Sequence, residues 1–378
     1  MAEYKTLVKK IPVSPDKKTK QKDYLKKGQL PIVDQGQSLV GGYTDDANMT
    51  VECELPVIVF GDHTRAVKYI TFPFGAGADG IKVLQPKENI LPPFLYYGTQ
   101  YIVAKMPNRG YARHYQYVEK EDLPVPSLPE QERIVARIEE LFSQLDAGVE
   151  TLKKTKAEIV LYRQAVFSSV IGKYDGVSKK LSDIAVTVDG DRGKNYPKKA
   201  ELTQTGDCLF LTAANVKPYG WSFEDNTFIS KEKDGILHGG RLQKNDVVIT
   251  TRGTLGNVAI YDESVPFDTV RINSCMLIIR VTDESVSPYY LAQYLMSPMF
   301  KYQIAKLKSG TAQPQIPANI LREIPLKIPS SNDQNAIIGE LTGKFSVCDS
   351  IEQTVDTALQ QAEAMRQSIL KDAFEGRL

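Results

Sequence analysis

Two stretches of this 378-residue chain place apolar residues on alternating three- and four-residue steps over several heptads, the pattern of a helical seam. The first begins at Pro129-Glu130-Gln131, just after the proline-rich Leu123-Pro124-Val125-Pro126, and carries Ile134, Ile138, Leu141, Leu145, Leu152, Ile159 and Val166. The second follows Ile328-Pro329-Ser330-Ser331-Asn332 and carries Ile337, Leu341, Cys348, Ile351, Val355, Ala358, Ala362, Met365 and Ile369. They superimpose without a gap: Gln131 falls on Gln334, Phe142 on Phe345, Asp146 on Asp349 and Arg163-Gln164 on Arg366-Gln367, each pair 203 positions apart. A helix of roughly 40 residues is about 60 Å long and needs a partner along its apolar stripe. The two stripes are suited to each other as a coiled coil, so the duplicated helices read as a spacer rather than as core helices of a large α-protein. Gly148, Thr155 and Lys344 interrupt the seam at positions that fix register. The segment 173–180, preceded by Gly172 and containing Gly176, is the exit from the first helix.

What precedes each helix reads as short strands, turns and a few helices, so the chain divides into 1–128, a helix over 129–175, then 176–330 and a helix over 331–378. Asp246-Val247-Val248-Ile249-Thr250-Thr251 reads as a buried strand, followed by the turn 252–257 and the strand Val258-Ala259-Ile260-Tyr261. The first segment repeats this as Pro56-Val57-Ile58-Val59-Phe60, a turn 61–65, and 66–70. Pro92-Pro93 and Ser287-Pro288 each open a helix, proline being favoured in a first turn. The globular parts have diverged far more than the helices, as expected if the helices share one task while each domain has its own target.

Composition excludes several classes. The four cysteines and three histidines are scattered without metal-ligand spacing, so no metal site or disulfide framework is expected. The N-terminus is lysine-rich and lacks the apolar run of a signal peptide or membrane span, which predicts a cytoplasmic protein. A net charge of +1 does not identify a partner. Lysines 17, 18, 20, 22, 26 and 27 read as a solvated arm rather than a phosphate-contacting one. Gly75-Ala76-Gly77-Ala78-Asp79-Gly80 matches a dinucleotide fingerprint, but Pro73 precedes it and the strand-like 81–86 follows where a helix is needed; it reads as a glycine-rich turn. No P-loop, H-E-x-x-H or G-x-S-x-G motif is found.

Loops presented by scaffold strands are the natural contact points, and their residues suit nucleic acid. Arg252-Gly253-Thr254 offers a guanidinium and a hydroxyl beside exposed backbone, and 309–315 offers amides able to pair with adenine. The first segment offers Gln35-Gly36-Gln37 and Arg109-Gly110-Tyr111-Ala112-Arg113-His114. The recurrence in both halves, rather than any single loop, distinguishes these from ordinary surface turns.

The arrangement resembles the specificity subunit of type I restriction-modification systems. The most specific matches are 123–131 with the following helix start, and the ending Arg366-Gln367-Ser368-Ile369-Leu370-Lys371-Asp372-Ala373-Phe374-Glu375-Gly376-Arg377-Leu378. Phe60-Gly61-Asp62-His63-Thr64-Arg65 and Gly239-Gly240-Arg241-Leu242-Gln243-Lys244-Asn245-Asp246 extend the resemblance over nearly the whole chain. One departure is the second helix start, Ser330-Ser331-Asn332-Asp333-Gln334, where the first has Pro129-Glu130-Gln131.

The resemblance implies an α+β fold: two mixed α/β target-recognition domains separated by two long helices that pair as an antiparallel coiled coil. It implies a subunit without catalysis, metal or cofactor of its own that reads a bipartite, asymmetric duplex DNA target. Two modification subunits would use S-adenosylmethionine, and restriction subunits ATP and Mg2+; no membrane is involved. The alternative is a duplicated coiled-coil scaffold without a DNA role. The candidate DNA contacts are Gln35, Gln37, Tyr43, His63, Arg65, Arg109, Tyr111 and Arg113 in the first domain. In the second they are Arg192, Lys194, Tyr196, Asn215, Arg241, Arg252, Thr254, Thr311, Gln313 and Gln315.

Overall fold

The structure, a computed structural model, describes residues 1–78, 80–107, 109–307 and 314–378. The chain forms two compact units, one comprising Met1–Lys154 with Val355–Leu378, the other Thr155–Thr354. The unit boundaries cut both long helices, Leu128–Gly172 and Ser331–Phe374, near their middles. Each unit therefore contains one globular domain, the first half of the helix that follows that domain, and the second half of the other helix.

In the first unit, a four-stranded antiparallel sheet runs in the order Val8–Ile11, Ile81–Pro86, Val57–Gly61, Val67–Ile70. A second sheet has the order Lys18–Thr19, Gly75–Gly77, Leu30–Val33, Gly42–Thr44, with parallel pairing on both sides of the central glycine strand. Alternation along Val57–Gly61 explains how both faces are buried. Ile58 and Phe60 pack with the helix Pro92–Lys105 and the long-helix residues Ile134, Ile138 and Phe374, while Val57 and Val59 pack against Val33, Phe74 and Ala76.

The second unit repeats this plan. Its antiparallel sheet runs Ala185–Asp189, Met276–Val281, Asp246–Thr250, Val258–Tyr261, and its second sheet pairs Cys208–Leu211 in parallel with Val270–Ile272 and antiparallel with Phe228–Ile229. Val247 and Ile249 face the helix Pro288–Met296 and the long helices, and Val248 faces the second sheet. The duplication read from the sequence is thus a duplication of topology.

The aligned residues of the long helices do equivalent work in the two units. Gln131 is buried; its side-chain oxygen accepts the Leu91 N–H (2.9 Å) and its amide donates to the carbonyls of Asn89 and Pro126 (2.9 Å each). Gln334 accepts the Ser287 N–H (2.8 Å) and donates to Ser285 (2.8 Å) and Pro329 (3.0 Å). Each glutamine thereby satisfies the backbone just before a proline-opened helix and ties the long helix to its own domain. The second helix start departs in sequence because Ser330 caps it, accepting the Asp333 N–H at 3.3 Å.

The helix halves in each unit run antiparallel. In the first, Arg133 reaches the carbonyl of Leu378 (3.0 Å) while Asp146 pairs with Arg366. In the second, Arg163 meets Asp349 (2.6 Å) and Lys173 meets Glu340 (2.9 Å).

Several sequence expectations are corrected. Ile351 and Met365, assigned to the seam, are 42% and 55% exposed. The stripe faces a globular domain as well as a helix, so Phe142, Phe345 and even Arg163 are buried in it. The lysine-rich segment is not a free arm, since Lys18–Thr19 form a strand and Lys17 pairs with Glu52 (2.6 Å). Tyr4 is fully buried and its hydroxyl meets that of Thr99 at 2.7 Å, in keeping with the expected first domain over 1–128. The helices span Leu128–Gly172 and Ser331–Phe374, a little short of the expected 129–175 and 331–378 at their C-terminal ends. The strand reading of 81–86 holds, and no helix follows Gly80.

Candidate nucleic-acid interface

In the first domain, one buried carboxylate gathers loops distant in sequence. Asp62 accepts the Tyr115 N–H on its side chain (2.8 Å), and its carbonyl accepts the His114 N–H (2.9 Å) and faces the ring Nδ1 of buried His114 (3.0 Å). This folds the loop ending at His114 onto the 61–65 turn. The result is a stack: the rings of His63 and Tyr111 lie 4.3 Å apart and 5° from parallel, with Tyr111 84% exposed. His63 Nδ1 lies 3.1 Å from the carbonyl of Ala112, which fixes the ring.

Gln35 joins them. Its carbonyl accepts the Thr64 hydroxyl, and its side-chain oxygen is buried without a partner. Gly80, at φ +71°, is what allows this approach, because a Cβ there would come within 2.5 Å of Gln35 Oε1 and 3.0 Å of His63 Cδ2. The glycine-rich segment thus serves close packing of a strand and a loop.

The other candidates of this domain divide. Gln37 and Arg113 are exposed loop residues. Arg109 is exposed and lies over the Tyr117 ring, 4.6 Å from its centre. Arg65, at φ +61°, closes the turn with its backbone N–H to the Gly61 carbonyl (2.8 Å), and its guanidinium donates to the carbonyl of Met106 (3.2 Å). Tyr43 is half-buried in the strand Gly42–Thr44.

In the second domain, Gly253 and Gly256 (φ +73° and +75°) shape the turn carrying Arg252 and exposed Thr254. The Arg252 backbone bridges exposed Gln315, bringing together two loops that the sequence singled out separately. Thr311 and Gln313 lie outside the described residues. Arg241 is exposed and 3.4 Å from Asp234, whose other oxygen holds buried Arg271; that arginine also donates to the carbonyls of Gly239 (2.6 Å) and Leu237 (3.0 Å) and so builds the turn presenting Arg241. Arg192 pairs with Asp189 (3.2 Å) on the surface, and Lys194 is exposed. Tyr196 packs edge-on against Phe210 at 5.8 Å.

Asn215 is turned into its own domain. It is 1% exposed; its oxygen accepts from Thr212, and its amide donates to the carbonyls of Ser222 (3.1 Å) and Asp225 (3.0 Å). A side chain with its hydrogen bonds spent on holding a turn has none to offer a base.

Electrostatics reinforces this division between contact and support. Burial works against the charge of Arg163, but its hydrogen bonds to Asp349 and Glu352 outweigh burial, and its pKa lies above the ordinary value. Burial draws the Lys68 ammonium pKa down although Asp34 stands beside it. Tyr24 is pushed up to about 12 by burial and by the Asp34 charge. Among the described residues, no three His, Cys, Asp or Glu side chains are grouped to hold a metal ion, and no helix is long and apolar enough to cross a membrane.

Two copies of one domain plan, anchored identically to shared helices but bearing different loops, define a duplicated recognition protein. The chain belongs to the family described as type I restriction modification DNA specificity domain, whose model matches residues 10–160 and 175–361. It is 24% identical over 371 residues to the type I restriction enzyme EcoBI specificity subunit of Escherichia coli, covering 90% of this chain and 74% of that one. It is 22% identical to the EcoR124I/EcoR124II specificity subunit of the same organism, covering 92% and 86%. The fold is shared with a chain in a solved structure on complex assembly and conformational transition of the type I R-M system. That match has a TM-score of 0.68 at 15% identity, over 100% of this chain and 97% of that chain.

Proposed function

We propose that this chain is the non-catalytic specificity subunit of a type I restriction-modification complex, reading a bipartite, asymmetric DNA target with one half-site per domain. The observation that carries this reading is the pair of units with one topology and one glutamine anchor but different loops. Equal scaffolds suit equal partners, and unequal loops suit unequal half-sites. Two modification subunits bound along the helices supply S-adenosylmethionine and methylate adenine; restriction subunits supply ATP, Mg2+ and cleavage, in the cytoplasm where the DNA lies.

Basic side chains position the duplex through its phosphates, and loop residues read base edges. In the first domain the stacked His63–Tyr111 pair with Gln35 forms the reading cluster, and in the second the Arg252 turn with its Gln315 neighbour does so. Each long helix belongs to one unit by its first half and to the other by its second, so its residue count is what the spacer of the target should follow. Deleting one heptad from each helix should change the tolerated spacer, and an unaltered spacer in a folded complex would contradict this.

The test of DNA reading is duplex binding with the modification subunits present. Arg252→Ala and Gln313→Ala should each relax one base position at a cost of about 1–3 kcal/mol. Unchanged affinity and an unchanged methylated sequence in both variants would overturn the loop assignment. Absence of salt-dependent duplex binding would favour a scaffold without a DNA role.

A further inference from the structure

The basic run near the N-terminus acquires a definite position in the fold. Lys18 and Thr19 pair in parallel with Ala76 and Gly77, so they form the outer edge of the second sheet of the first domain. Lys17 is neutralised by Glu52, whereas among the described residues Lys18 and Lys20 make no ion pair. Both border a pocket of about 690 Å³ whose wall continues through Tyr24, Gln35 and Thr64. Among the described residues, the one carboxylate in that wall, Asp34, is already engaged: buried Lys68 donates to its carbonyl (2.7 Å) and approaches Oδ1 (3.5 Å), which also accepts the Gly36 N–H (2.8 Å). The pocket is thus left with two unpaired ammonium groups at its rim, one on the strand Lys18–Thr19 and one just after it. It adjoins Gln35, whose Oε1 lies buried and unpartnered.

The second domain supports the same interpretation independently. Its strand Val270–Ile272 is the counterpart of Gly75–Gly77: the first pairs in parallel with Cys208–Leu211, the second with Leu30–Val33. The outer edge of Val270–Ile272 is lined by residues 240–242, with Leu242 N–H donating to Val270 and Ile272 N–H to Gly240, both 2.9 Å. That edge presents Arg241, which is exposed to solvent although one of its nitrogens stands 3.4 Å from Asp234. The two domains, unlike in sequence here, place cations on the same edge of the same sheet.

We infer that Lys18 and Lys20 hold the phosphodiester backbone of the half-site read by the first domain, the task Arg241 performs in the second. This rests on the proposed DNA-reading function and adds a phosphate subsite to it. Lysine is suited to this task as a point charge, and phosphate contacts fix register without reading sequence. The edge strand sets the backbone in place while Gln35 and His63 face the bases.

The test uses the complex of full-length chain and modification subunits with a duplex carrying its target, comparing wild type with Lys18→Gln/Lys20→Gln. Each lost phosphate contact removes about 0.9 from the slope of log affinity against log salt, so the double variant should be shallower by about 1.8. The pattern of methylated adenines should stay the same. Lys18→Arg/Lys20→Arg should keep the wild-type slope, which separates charge from folding. An unchanged slope in the Gln variant, or a slope that falls equally in the Arg variant, overturns the phosphate assignment while leaving the DNA-reading function intact. A changed methylation motif also overturns it, because the lysines would then read bases. A free-nucleotide pocket is the outcome if added nucleoside monophosphate, but not duplex, protects Lys18 and Lys20 from amine-reactive labelling. Wild type without any salt-dependent duplex binding overturns both readings together.

Discussion

Replacing Arg163 and Arg366 by alanine, one at a time, should give unequal losses although the two are aligned in the repeat. Arg163 has a side chain 2% exposed, bonded to Asp349 and Glu352 at 2.6 and 2.9 Å. Its guanidinium lies over the rings of Tyr219 and Phe345, 5.1 and 5.3 Å from their centres. Breaking a buried pair costs about 3–5 kcal/mol, and the lower end applies because the Asp349 side chain is 70% exposed and rehydrates readily. The expected loss is about 3 kcal/mol in the second unit. Arg366 has one carboxylate, Asp146, and the Phe142 ring at 4.3 Å, with a side chain 31% exposed, so its loss should be about 1 kcal/mol in the first unit. The position aligned with Glu352 is Val149, which supplies no second partner.

The assay is urea unfolding of the whole chain. The single tryptophan, Trp221, donates to the Ile260 carbonyl (2.7 Å), so its fluorescence follows the second unit, and far-UV circular dichroism follows the whole chain. With a slope of about 2 kcal/mol per molar, Arg163→Ala should lower the fluorescence midpoint by about 1.5 M. Arg366→Ala should leave that midpoint unchanged and lower only the remaining transition, by about 0.5 M. Equal shifts for the two variants, or no shift for Arg163→Ala, would refute the argument that burial and a second carboxylate decide the cost.

Three further outcomes follow from named contacts. Gln131→Ala and Gln334→Ala each strand a backbone N–H before a helix and should cost roughly 2–4 kcal/mol in their own unit by the same unfolding assay. Asn215→Ala should cost about 2 kcal/mol of stability in the second unit while leaving the methylated sequence unchanged, since its bonds are all internal. Tyr111→Ala should leave stability within about 0.5 kcal/mol, because the ring is exposed, yet weaken duplex binding by roughly 1–2 kcal/mol in a filter-binding or anisotropy titration.

The long helices were legible because an apolar repeat on three- and four-residue steps, sustained from Ile134 to Val166 and from Ile337 to Ile369, leaves few alternatives, and the gap-free match of Gln131 to Gln334 foretold an equivalent structural role. The buried strands were legible for the same reason, as continuous apolar runs between turns. Periodicity could not show Arg163 in the buried stripe, because a charge is counted as surface until its partners, 186 and 189 residues away, are known. It also placed Ile351 and Met365 inside, since spacing does not reveal where a stripe turns from a helix toward a domain. The loops were found by residue type, but the His63–Tyr111 stack depends on Asp62 binding Tyr115 across 53 residues. Asn215 looked like a contact because an amide suits a base and a turn equally. A lysine run has no partner strand that the sequence reveals, and the pairing of Lys18 with Ala76 supplies that context.

The most direct test of the central claim is to map methylated adenines on DNA modified by a complex containing this chain, before and after residues 176–330 are exchanged for the matching segment of a relative with another target. A bipartite motif in which one half changes and the other half and the spacer persist is the expected result. A continuous motif, or a change in both halves, would contradict the assignment of one half-site to each domain.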